Sequence, residues 1–151
     1  MRKQITDPTY APVEQELPEL SAKLLTFAQA DSDSFEAYMQ AFRLRKGTPS
    51  EEAAQKQAVH RAAVKATEAA LDILDLGNEV LNLAHQVQFR VTKTIRADEQ
   101  SCVELNSAMN TTARVNADAN LVGSDSADPL WKRLSDATAK HSALLVACHS
   151  S

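Results

Sequence analysis

Glycine is scarce in this chain, with three in 151 residues, and aromatic side chains make up only 5% of it. Sheets favour aromatic and β-branched residues, whereas abundant alanine favours helices, so the composition points to a helical protein and away from a sheet. No run of eighteen or more apolar residues occurs, and Met1-Arg2-Lys3-Gln4-Ile5-Thr6-Asp7-Pro8 lacks the apolar stretch of a signal peptide. No membrane partner is therefore expected, and a soluble cytoplasmic protein is the default. An excess of positive charge is also missing. The formal net charge is −4 with both signs interspersed, so no nucleic-acid partner held by phosphate neutralisation is expected. Cys102 and Cys148 have no close partner and read as reduced, core-facing thiols. His60, His85, His141 and His149 form no His-x-x-x-His pair and, with the two cysteines, no set at metal-ligand spacing, so no metal is expected. A phosphate-binding glycine-rich loop and a Gly-x-Ser-x-Gly elbow are absent as well.

What the chain does have is a corner. Ala41-Phe42-Arg43-Leu44-Arg45-Lys46-Gly47-Thr48-Pro49-Ser50-Glu51-Glu52 reads as the end of one helix and the start of a longer one. Gly47 suits a positive φ past a helix end, and Arg43, Arg45 and Lys46 suit the negative end of the helix dipole. Thr48 caps the next helix, Pro49 fits its first position, and Glu51 completes a Thr-x-x-Glu capping box.

At this length one domain is expected, with residues 1–16 as a flexible arm and residues 17–151 as a helical unit. From Leu17 an apolar stripe runs through Leu20, Leu24, Phe27, Phe35, Tyr38 and Phe42 once Asp31 is counted in it. A carboxylate there belongs either to a helix edge that meets water or to a cleft. The second helix carries a seam of small residues at Ala63, Ala66, Ala70, Gly77 and Ala84, and it is expected to continue through Gly77-Asn78. A third helix over 97–121 carries a stripe of Asp98, Cys102, Leu105, Met109, Thr112, Asn116 and Asn120. Asp98 on its own reads as an N-cap or first-turn residue, and Asn116 as a buried amide. Asp128-Pro129 opens a last helix with Leu130, Leu134, Ala137, His141, Leu144, Leu145 and Cys148 on its apolar side and Trp131 as an anchor. His141 reads as a core or edge histidine. The expected fold is all-α: an up-and-down helical bundle with one long helix, pairing as a homodimer through alanine-rich faces.

The stretch from Asp31 to Lys46, followed by Gly47-Thr48-Pro49-Ser50-Glu51-Glu52-Ala53-Ala54, resembles the cyclodeaminase/cyclohydrolase family, which includes the cyclodeaminase domain of formiminotransferase-cyclodeaminase and the methenyltetrahydrofolate cyclohydrolases. The family's Tyr-Arg-Leu-Pro-Lys is met by Phe42-Arg43-Leu44-Arg45-Lys46, with phenylalanine for tyrosine and arginine for proline. Ala66-Thr67-Glu68-Ala69-Ala70-Leu71 resembles Ala-Thr-Glu-Val-Pro-Leu, and Ala97-Asp98 matches part of Ser-Asp-Ala-Gly-Val-Ala. Asn116-Ala117-Asp118-Ala119-Asn120-Leu121 matches Asn-Val-x-Ile-Asn-Leu in both asparagines and the leucine. The likeness runs from Leu17 to Leu121, and the family's Pro-Gly-Gly-Gly-Ser segment has no counterpart before Leu17.

The resemblance implies folate-dependent one-carbon chemistry on a tetrahydrofolate derivative. Either formimino-tetrahydrofolate closes to the methenyl form with loss of ammonia, or the methenyl form is hydrolysed. In that reading Asp98 is the acid/base, Arg43 and Lys46 hold the anionic glutamate tail, Asn116 positions the ligand, and Asp31 contributes to binding. Asp98 and Asn116 are then expected to line one cleft near the corner, within a subunit or across a dimer. A rival reading is a non-catalytic helical assembly or binding protein of the same descent.

Overall fold

The computed structural model describes residues 10–150, and these form helices with no strand among them. In chain order the helices are α1 (Ala11–Phe42), α2 (Pro49–Val87), α3 (Lys93–Leu121) and α4 (Pro129–His149). The all-α expectation holds. α2 is the longest at 39 residues, but α1 has 32 and α3 has 29, so length is shared rather than concentrated in one helix.

Local chemistry sets the helix starts. Thr48 Oγ1 accepts a hydrogen bond from the Glu51 amide at 3.2 Å, with Pro49 behind it, and Asp128 Oδ1 accepts from the Leu130 amide at 2.9 Å, with Pro129 behind it. Glu51 also reaches back, its Oε2 accepting from the Gly47 amide at 2.9 Å. The corner differs from expectation in one respect. α1 stops at Phe42, and the single glycine with positive φ among the described residues is Gly123, at 84°. Gly47 is thus no helix-end glycine. The last carbonyl of α1 is satisfied by a side chain instead, because buried Gln55 donates from Nε2 to the Phe42 oxygen at 3.1 Å.

α1 begins at Ala11, six residues earlier than the stripe from Leu17 suggested, and it carries Pro18 inside it. Residues 11–16 are thus helical, and residues 1–9 lie outside the described part of the chain. α3 likewise begins at Lys93 rather than near Ala97, which moves Asp98 into the second turn and away from any N-cap role.

α2 is the axis of the fold. α1, α3 and α4 each pack against it, and α3 also meets α4. Packing against three helices gives α2 a wide buried arc, from Ala62 and Ala66 through Leu71, Leu74, Gly77 and Asn78 to Leu81 and Leu83. Leu71, Leu74 and Leu81 are at most 1% exposed, and each such leucine stabilises the fold by about 1.5–3 kcal/mol. Of the small residues expected to admit a close neighbour, Ala70 does so: with Ala113 and Ala117 of α3 it lies in one core cluster with Leu134 and Ala137 of α4. α4 buries Leu134, Ala137, His141 and Cys148 as its spacing suggested, and Trp131 anchors its start by donating from Nε1 to Ser124 Oγ at 2.9 Å. Cys148 faces the core, but Cys102 is exposed. The face of α3 that carries Cys102 borders an open groove between α1 and α3, which leaves the thiol exposed.

Candidate functional site

At the corner, the first turns of α2 pack beside the end of α3 and the loop after it. A cleft of about 370 Å³ opens there. α1 supplies Tyr38 and Phe42, the connection supplies Lys46, and α2 supplies Gln55, Lys56, Val59, His60 and Ala63. The far wall is Ala119, Asn120, Val122, Gly123 and Ser124. Its smallest members, Ala63, Ala119 and Gly123, leave the space open.

The charge of this lining is one-sided. Lys46, Lys56 and His60 line it, and no aspartate or glutamate does. Lys56 and His60 stand one helical turn apart and so share a face of α2. Lys46 Nζ lies 5.0 Å from the centroid of the Phe42 ring, within cation–π range, which holds its ammonium over an aromatic face at the cleft. Lys46 and Lys56 offer charge-assisted hydrogen bonds to an anion, Tyr38 and Phe42 offer surface to a flat apolar group, and Asn120 offers both an acceptor and a donor. An anionic molecule with an aromatic part fits this chemistry.

Of the residues the sequence singled out, Lys46 lies in the cleft and the others do not join it within one chain. Arg43 is exposed at the end of α1, beside the corner but outside the cleft lining. Asp31 is half-buried on α1, its backbone oxygen accepting from Ser34 Oγ at 2.8 Å, and it does not line the cleft. Asn116 is exposed, and the asparagine that reaches the cleft is Asn120, one turn later in the same motif. Asp98 is exposed near the opposite end of α3, about 33 Å along the axis from Asn120 at roughly 1.5 Å per residue. It borders a separate groove of about 500 Å³ between α1 and α3, whose walls include Leu17, Leu20, Leu24, Leu76, Leu105 and Met109. Asp98 and Asn116 do share a face of α3, but about 27 Å apart, so one chain cannot bring both to one cleft.

The sequence reading gave no site role to Lys56, His60, Tyr38 or Asn120. A lysine and a histidine four apart just after a capping box were the available signal for the first two.

The bundle centre holds a second polar group. Asn78 and Asn110 are fully buried and His141 is 9% exposed. Asn78 donates from Nδ2 to the Ala137 oxygen at 3.0 Å. Asn110 donates from Nδ2 to Asn78 Oδ1 at 3.3 Å, and the same nitrogen lies 3.0 Å from His141 Nδ1. An amide nitrogen only donates, so His141 Nδ1 accepts and the ring is neutral. Burial pushes this imidazole below its ordinary value. This network joins α2, α3 and α4 and lies among helices rather than in a cleft.

Among the described residues, no three of His, Cys, Asp and Glu gather as a metal site requires, and no helix is long and apolar enough to cross a membrane. A family model described as formiminotransferase-cyclodeaminase matches residues 2–139. No curated protein matches the chain.

Proposed function

Because the chain belongs to the formiminotransferase-cyclodeaminase family, we propose that it acts on a tetrahydrofolate derivative in one-carbon metabolism and holds that ligand in the corner cleft. The observation that carries this reading is a cleft with Lys46, Lys56 and His60 in its lining, no carboxylate, and Tyr38 and Phe42 beside them. A folate has matching parts. Its glutamate tail is anionic, and its pterin and aminobenzoyl rings are flat.

The reaction proposed first is closure of formimino-tetrahydrofolate to methenyl-tetrahydrofolate with release of ammonia; hydrolysis of the methenyl form is the related alternative. Neither uses a metal or a redox cofactor. Lys46 and Lys56 bind the tail, Arg43 adds positive charge at the rim, and Asn120 takes the positioning role first read for Asn116. Asp98 could serve the same cleft only from a second subunit. A homodimer and a cytoplasmic location belong to this proposal. Leu105, 73% exposed beside the apolar groove, is the side chain whose cover a dimer would supply.

Calorimetric titration with folinic acid, a stable reduced folate, tests the binding claim. Cyclisation of formimino-tetrahydrofolate, followed through the absorbance of the methenyl product, tests the chemistry. Binding without turnover would favour the rival reading of a helical binding protein, which the separation of Asp98 from the corner supports.

A further inference from the structure

The corner cleft offers positive charge to a ligand, but ring closure also has to move a proton, and the side chains in the cleft differ sharply in their fitness for that. Lys46 is held against the Phe42 ring, and Lys56 is assigned to the anionic tail of the ligand. A phenol such as Tyr38 can donate a proton but is a poor acceptor of the one that N10 loses. Gln55 is buried and committed to the Phe42 carbonyl, and asparagine and serine do not titrate in water's neutral range. His60 remains. It is exposed, it lines the cleft one turn beyond Lys56, and neither ring nitrogen has a hydrogen-bond partner among the described residues. Imidazole is the side chain most often used to take up and return a proton in general acid–base catalysis.

Resting on the folate reading of the cleft, we propose that His60 is the proton carrier for the reaction there. N10 of protonated formimino-tetrahydrofolate attacks the formimino carbon, forming the N10–C bond, and its proton passes to His60. The C–N bond to the amino group then breaks as His60 returns that proton to the departing nitrogen. Ammonia leaves, the methenyl cation remains, and the imidazole is neutral again. Lys56 sits one turn away and holds the anionic part of the ligand on the same face.

The test compares the unmodified chain with His60→Gln and His60→Ala. Turnover of formimino-tetrahydrofolate is measured from about pH 5 to 8, alongside folinic acid affinity by calorimetry. His60→Gln is expected to lower kcat by about 10²-fold and to remove the pH-dependent limb, with folinic acid affinity changed less than about threefold. Added imidazole is expected to restore part of the lost turnover in His60→Ala. A His60→Gln variant with kcat within about threefold of the original and an unchanged pH profile overturns the assignment while leaving the folate site intact. Folinic acid binding without any turnover in the unmodified chain also overturns it. An absence of both binding and turnover removes the folate reading itself.

Discussion

Gly77 of α2 and Asn110 of α3 meet with no space between them: a Cβ at position 77 would stand 1.8 Å from Asn110 Oδ1. Asn110 is fully buried and bonded toward Asn78 and His141, so it has no free rotamer to retreat into. Gly77→Ala would gain about 1 kcal/mol in helix propensity. The overpacking it causes costs more, and a net loss of about 1–3 kcal/mol is expected. Urea unfolding measures it. A midpoint equal to or above that of the unmodified chain would show that the helices can part here at no cost.

Acid should loosen the same junction. His141 accepts from Asn110 and is held below its ordinary value by burial, so the unfolded chain takes up the proton more readily than the folded one. Stability from this group is complete above the unfolded value of 6.5 and declines as pH falls below it, until the folded ring also protonates. His141→Gln should be less stable at neutral pH and lose less on acidification to about pH 5. Parallel stability curves for the two proteins would mean that His141 does not contribute to the acid response.

The starts of α2 and α4 were legible in the sequence because Thr48-Pro49 and Asp128-Pro129 act within one turn, and the continuity of α2 through Gly77 was legible from its spacing. The Asn78–Asn110–His141 network was not, since its members lie on three helices and nothing local marks an amide for a partner so distant in the chain. The stripe on α3 shows a related limit. Helical period fixes the angle between Asp98 and Asn116 but not their separation along the axis, so of the two arrangements expected for these residues, one cleft within a subunit is excluded and one cleft across a dimer is left. Lys56 and His60 became visible as site residues only when the end of α3 was seen to pack beside the start of α2.

Asp98 and His60 are competing sources of the proton, and a single variant of the former separates them. Asp98→Asn is expected to leave turnover within about threefold, because within one chain Asp98 lies near the far end of α3 from the cleft. A fall of about 10²-fold in the variant, with folinic acid still bound, would place the aspartate of a partner subunit at the reaction instead.

Association of two chains would cover the groove between α1 and α3. Sedimentation of the unmodified protein at micromolar concentration should give a dimer, and Leu105→Glu, which puts a charge on that face, should give a monomer of unchanged helix content. A monomeric unmodified chain would refute the proposed pairing.

The account rests most heavily on the corner cleft as a folate site, and calorimetric titration of folinic acid into the unmodified chain and the Lys46→Ala, Lys56→Ala double variant addresses it directly. One ligand per chain is predicted, with affinity reduced at least about tenfold in the double variant and weakened by added salt. No binding to the unmodified chain, or equal affinity in both proteins, would contradict it.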